Sequence, residues 1–468
     1  MQQLSPQDAI FAYMETIHTP AQLAWFNIYD PATAPGREVR FEAILDHVAR
    51  RLHTAPFYRQ KLAFVPASLG EPYWVDDSGF DLEYHVRHVG LPPPGDWNQL
   101  CNTVARLFAH PFDLNKPLWE FYVIDGLSEI AGVPPGSFAI LAKLHHAAID
   151  GVSGVNVTTE LHTPAADTPP PPPQVWQPEA EPRPVELLLR SYMANAAQPG
   201  RRIRTIARSI PSLRRAKAAV DSGEIRRPGY KVPRTRFAGP VGAHRSVDAR
   251  RFRLEAIKPI RALVPGSTVN DVMLAIVGGT MRRYLQAKSE LPDEPLVAAC
   301  PISVRTAEQD GELGNQVGSM FTRLATDIAD PVERLRRVRD DTANAKGFSE
   351  RVGARTLTEL SQIVPGVLVG LGMRLSSRLA SGVANTTVTN VPGPQQPLFL
   401  AGAQVVTQFA LGPLLPSLGI FHTVLSYCGE LTLTVVADRD KLPDPEFYAE
   451  CMQAAYDELI DVPAAAEG

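Results

Sequence analysis

Between Thr163 and Pro184 the chain passes through a proline-rich stretch in which Pro169 to Pro173 are consecutive. Proline has no backbone N–H and a fixed φ, so such a run cannot enter a helix interior or a central strand and favours an extended form. At 468 residues the chain exceeds what one core holds. Two domains of roughly 200 residues each are therefore expected. The proline run supplies their boundary: an N-terminal domain over 1–162, a proline-rich linker with a basic connecting helix over 163–225, and a C-terminal domain over 226–468. Runs of this kind serve as spacers more often than as ligands for proline-reading modules.

From Val185 to about Ala219 the pattern reads as helical, with Arg190, Arg201, Arg202, Arg204, Arg208, Arg214, Arg215 and Lys217 set among leucines and isoleucines. Pro199, Gly200 and Pro211 break it into pieces. Two readings stay open. A basic amphipathic segment can lie on an anionic membrane, each basic side chain contributing on the order of 1 kcal/mol, or it can be a solvated connector packed across two domains. The second half alternates strand-like runs (Leu296–Ser303, Gln404–Leu411, Leu431–Asp438) with helical ones (Asn270–Ala287, Pro331–Ala345), which suits an α/β domain.

The net charge of −4 supplies no global attraction for nucleic acid. Cys101, Cys300, Cys428 and Cys451 are scattered and lack C-x-x-C spacing, so neither a disulfide framework nor a zinc site is expected, and a reducing cytoplasm fits. MQQLSPQDAIFAYMET has no basic region followed by an apolar run, so no secretory signal is expected. No segment gives 18 uninterrupted apolar residues; Ile363–Met373 comes closest, and it is too short to span a bilayer and broken by Pro365 and glycines. Membrane contact, if present, is peripheral.

The stretch LAKLHHAAIDG carries the chemistry. Phe138–Leu144 reads as a buried strand, and Gly151, Ser153 and Gly154 stop it before a helix starting near Val155. His145 and His146 thus sit at a strand end, where an imidazole can be aimed into a cleft and accept a hydroxyl proton near neutral pH. Asp150 either orients that ring or holds the turn. A metal site would use the same residues, but adjacent histidines on a strand point to opposite faces and do not easily reach one ion. Neither G-x-x-x-x-G-K-[ST] nor G-x-G-x-x-G occurs, so nucleotide binding of those kinds is not expected.

Seven further motifs accompany HHAAIDG: LSPQDAIFAYMET, FDLEYHVRHVGLPPPG (Phe80–Gly95), PLWE (Pro117–Glu120), STVNDVMLA (Ser267–Ala275), PISVR (Pro301–Arg305), LGNQVG (Leu313–Gly318) and TNVPGP (Thr389–Pro394). In this order they resemble the bacterial wax ester synthase/acyl-CoA:diacylglycerol acyltransferase family, within the CoA-dependent acyltransferase superfamily. The resemblance covers nearly the whole chain. It implies an α/β fold of two chloramphenicol-acetyltransferase-like domains, with the active-site tunnel at their interface. It also implies transfer of a long-chain acyl group from acyl-CoA to diacylglycerol or a long-chain alcohol at the surface of a membrane or lipid droplet, without a metal or prosthetic group. A related enzyme with another hydroxyl acceptor, or a catalytically idle lipid-binding protein, would share the fold.

By the same resemblance His146 is the general base and His145 supports it. Asp150 pairs with Arg305 to hold the catalytic loop, while Gly151 permits its turn. Asn270, Thr389 and Asn390 are candidate oxyanion or substrate contacts. Asn270 could equally help cap a helix, and Asn390 could fix the VPGP turn. Pro117, Leu118 and Trp119 either line the acyl tunnel or pack as core.

Overall fold

The computed structural model describes residues 1–148, 160–172, 175–196, 231–303, 317–352, 367, 372 and 383–462. Two six-stranded mixed sheets organise them. In the first, the order is β12 (Phe399–Leu400), β13 (Ala403–Leu411), β2 (Gln22–Asp30), β7 (Phe138–His145), β6 (Trp119–Asp125) and β5 (Val86–Gly90). In the second it is β10 (Val317–Arg323), β9 (Val297–Ser303), β11 (Thr386–Val391), β14 (Ile420–Tyr427), β15 (Glu430–Asp438) and β8 (Arg245–Arg253). A small third sheet joins β1 (Gln2–Gln3), β4 (Tyr73–Asp76) and β3 (Gln60–Ala63).

The two large sheets do not divide the chain at a single point. Strands β12 and β13 come from the second half, yet β13 pairs antiparallel with β2, from Gln404 opposite Asp30 to Leu411 opposite Ala24. The start of the proline-rich stretch is stitched to the same place, because Thr163 and Phe399 exchange backbone hydrogen bonds of 2.7 and 2.9 Å.

Strand β7 is buried along its whole length. Its period-2 alternation sends Ala139 and Leu141 to one face and Ile140, Ala142 and Leu144 to the other. The first face packs with Phe26, Phe409 and residues of the second sheet such as Val247, Ala249 and Val436, forming a core shared by both sheets. Helices of the first half flank this framework. Helix α1 spans Pro6–Met14, capped by Ser5, and α2 spans Phe41–Ala49. Helix α3 (Trp97–Ala109) starts with a reciprocal box between Asp96 and Gln99 and is tied across the interface by Trp97 Nε1 donating to Asp248 at 2.9 Å. Helix α4 spans Pro184–Ala196, its proline at a helix start as that residue prefers.

In the second half, α5 (Val269–Ala287) begins at a Thr268/Asp271 capping box and is buried over most of its length. It packs tightly. A β-carbon on Gly278 would stand 2.2 Å from the Leu324 carbonyl oxygen, so only glycine fits there. The helix Pro331–Val352 (α6) lies alongside, joined by Thr342 Oγ1 donating to Asp271 at 2.6 Å.

His422, on β14 and fully buried, contacts Thr386 Oγ1 at 2.8 Å through Nδ1 and the Tyr448 hydroxyl at 2.7 Å through Nε2. Burial lowers its pKa to about 3, and burial likewise brings His47 to about 4. An unfolded histidine titrates near ~6.5. The unfolded chain therefore binds more protons between these values, so the contribution is complete above pH ~6.5 and is lost as pH falls toward 3. Urea unfolding between pH 7 and 4 should show stability declining with acid. His422→Gln should flatten that slope by up to about 1.4 kcal/mol per pH unit; an identical slope in the variant would contradict this account.

Candidate active site

Strand β7 ends at His145 because three backbone bonds seize the chain there. His145 N–H donates to the Leu118 carbonyl at 3.0 Å, His146 N–H to that of Ala21 at 2.8 Å, and Ala148 N–H turns back to that of His145 at 3.0 Å. The two histidines consequently meet different surroundings. The His145 ring is fully buried; its Nδ1 accepts from Ala147 N–H at 3.0 Å, which places the ring proton on Nε2, facing Glu15 Oε2 at 3.2 Å. The same Glu15 oxygen accepts Ala21 N–H at 3.2 Å. One carboxylate thereby holds the first imidazole and the backbone segment that positions the second. His146 is half-buried and lies flat on Phe11, ring centroids 4.1 Å apart and planes within 5°. Of the pair, His146 is the residue that is not fully buried.

Two of the candidate polar contacts meet each other. Asn390 Nδ2 donates to Asn270 Oδ1 at 3.3 Å, joining side chains 120 positions apart, and Thr389 precedes Asn390 on β11. Asn270 does not cap α5, since Thr268 and Asp271 do so. With its carbonyl oxygen engaged, the Asn270 amide offers its N–H groups in the first turn of a helix, where the macrodipole favours negative charge. Asp150, Gly151 and Arg305 lie outside the described residues, as do the expected helix near Val155, the basic residues Arg201 to Lys217 and nearly all of Ile363–Met373. Among the described residues, no group of three or more His, Cys, Asp or Glu is placed to hold a metal ion.

The sequence as a whole matches known proteins. Residues 4–273 match the wax ester synthase/diacylglycerol acyltransferase catalytic domain, and residues 313–460 its C-terminal domain. The chain belongs to this family. A Mycobacterium tuberculosis H37Rv protein, provisionally named a diacylglycerol O-acyltransferase, is 32% identical over 98% of this chain and 90% of its own length. Among solved structures, the wax ester synthase/diacylglycerol acyltransferase of Marinobacter aquaeolei VT8 is similar in fold, with a TM-score of 0.68 and 24% identity over 98% of each chain. A starter condensation domain of rhizomide synthetase, solved with C8-CoA and Leu-SNAC, gives 0.57 at 14% identity over 99% of this chain and 95% of its own. The two-domain chloramphenicol-acetyltransferase-like architecture expected from sequence is thus the one observed.

The PLWE residues of this family member are packed, not open. Trp119 is fully buried, donates Nε1–H to the Tyr58 carbonyl at 2.8 Å and stacks on His85 at 4.6 Å. Leu118 is fully buried among Leu4, Ala9, Ala12 and Ala147, beneath the histidine turn, and Pro117 is buried beside it. A small apolar recess between α2 and the first sheet is lined by Ile44, Val48, Phe121, Val123 and Ile140 among others, and by none of these three. All three side chains are packed against their neighbours.

Several supporting residues were not expected from sequence. Besides Glu15 and Phe11, Lys143 stands two positions before His145 on the same strand face with no exposed surface. Its Nζ donates to Glu120 at 3.0 Å and to the His110 carbonyl at 2.9 Å, and sits 4.8 Å from the centre of the Phe112 ring, which in turn packs edge-on against His145. Tyr122 donates to the same Glu120 oxygen at 2.7 Å, and Arg87 approaches the other at 3.5 Å. Burial lowers the Lys143 pKa while Glu120 opposes that shift. Lys143→Met should cost about 3 kcal/mol in urea unfolding because it leaves Glu120 short of its buried partner. Adding Glu120→Gln should recover part of the loss; strictly additive losses would show that the two groups are not coupled.

Proposed function

We propose that this protein is an O-acyltransferase that moves a long-chain fatty acyl group from acyl-CoA to diacylglycerol or a long-chain alcohol, at the periphery of a membrane or lipid droplet in the cytoplasm. The products are triacylglycerol or wax ester and free CoA. The observation that carries this reading is the division of labour between the two histidines. His145 is fully buried with both nitrogens hydrogen-bonded, whereas His146 is only half-buried and stacks on Phe11.

In this reading His146 takes the proton from the acceptor hydroxyl as its oxygen attacks the thioester carbonyl. The new C–O bond forms, the C–S bond breaks, and the proton passes to the departing CoA sulfur. Asn270 and Asn390, with Thr389 beside them, are the donors proposed for the tetrahedral oxyanion, which such groups stabilise by about 3 kcal/mol each. Thiolate is a good leaving group, so transfer proceeds directly in a ternary complex and requires no acyl-enzyme, metal or prosthetic group. His146→Ala should lower the rate of CoA release about 10²- to 10⁴-fold with an unchanged circular dichroism spectrum. A folded variant with wild-type turnover would remove His146 from this role.

Asp150 and Arg305 are proposed to hold the catalytic loop as an ion pair. Asp150→Ala should then destabilise the protein by several kcal/mol, and the double variant with Arg305→Ala should lose less than the sum of the single changes. Additivity in thermal or urea unfolding would show that the two do not interact.

A further inference from the structure

Helix α4 carries an apolar stripe on its outer face. Val185, Leu189, Tyr192 and Met193, spaced i, i+4, i+7, i+8, are 74, 60, 73 and 61% exposed. The helix cannot turn this stripe inward, because its other face is occupied. Leu187 packs with Val65, Tyr73 and Val75, and Ser191 donates to the Leu69 carbonyl at 3.4 Å. A β-carbon on Gly70 would stand 1.7 Å from Ser191 Oγ, so the helix is pressed against the backbone there. Leu69 itself is 64% exposed, and Phe64, at 38%, flanks it through Tyr13, which meets the Phe64 ring and donates to the Gly70 carbonyl. Six of the ten exposed large apolar side chains among the described residues thus belong to one neighbourhood. Scattered singly they would need no explanation; gathered on one face they mark a contact surface.

Two observations say what it contacts. The surface reaches the helix that supports the site: Tyr13, which meets Phe64, and Phe11, the ring on which His146 lies, both belong to α1, on different faces of it. The chain that follows α4 is strongly basic, residues 197–230 holding nine Arg or Lys against Asp221 and Glu224. On the helix itself Glu186 and Arg190 neutralise each other at 2.9 Å. Apolar residues that enter an acyl layer, followed by a run of cations, match an anionic lipid surface. We infer that the outer face of α4, with Leu69 and Phe64, seats the protein on an anionic bilayer in which its acceptor is dissolved. This rests on the acyltransferase reading for the acceptor, but not for the binding.

The test separates the two. Full-length protein is sedimented with vesicles of phosphatidylcholine and phosphatidylglycerol containing dioleoylglycerol, and acyl transfer is measured both to the vesicle dioleoylglycerol and to soluble hexanol. Leu189→Ser with Met193→Ser should weaken vesicle partition about tenfold or more and slow transfer to dioleoylglycerol in proportion, leaving the hexanol rate unchanged. Tyr192→Trp should shift its fluorescence to the blue on vesicles and be quenched by brominated lipid. Unchanged partition of the double variant, or an indole that stays in water on bound protein, overturns the inference. A double variant that loses only self-association shows that the face meets a second copy and likewise overturns it. Failure of the wild type to acylate either alcohol would defeat the proposed function while partition still decides the docking surface.

Discussion

The pairing of Ala403–Leu411 with Gln22–Asp30 is the contact on which the arrangement rests. Without it the strand Gln22–Asp30 would be a sheet edge with bare N–H and C=O groups, beside the strand that ends in the histidines. The same strand delivers Phe409 to stack on Phe26 at 4.4 Å, inside the core that both sheets share. The backbone just before this pairing, at Ala21, is also where His146 is hydrogen-bonded. Joining the lobes and setting the histidine turn are consequences of one strand, β2, which pairs with β13 on one edge and β7 on the other.

Much of the fold was legible because local periodicity reports local state. The strand expected at Phe138–Leu144 extends one residue to His145, that at Leu431–Asp438 begins one residue earlier, and the helix expected at Asn270–Ala287 starts at Val269 behind its Thr268 cap. The helix expected over Pro331–Ala345 runs on to Val352. Periodicity does not report partners. Gln404–Leu411 is readable as a strand, but its hydrophobic alternation says nothing of which sheet completes it, so its crossing to the N-terminal half is not evident from sequence.

The candidate site divides in the same way. HHAAIDG is conspicuous because histidines at the end of an apolar run are chemically unusual, and the asparagines stand out within their motifs. That Asn390 reaches Asn270 is a tertiary fact, carried by the side-by-side placement of a sheet strand and a helix start. Glu15 does leave a trace in the sequence. An acidic side chain just past the end of a helix opposes the macrodipole, and needs another reason to be there. Lys143 leaves one too, as a lone cation in an otherwise apolar strand. Pro117 to Trp119 resemble tunnel walls because aromatic and aliphatic side chains suit hydrocarbon, and the same chemistry suits the packed surroundings in which they are found.

The seclusion of Lys143 has a chemical consequence for a protein that handles activated acyl groups. A free lysine amine is a nucleophile toward thioesters, and this one lies two positions along the strand from the first histidine. Held by Glu120 and the His110 carbonyl, with no surface open to solvent, its nitrogen can be approached by no thioester carbon. A positive charge is thus kept close to the chemistry without becoming a target of it, and the protein is spared acylating itself at that position.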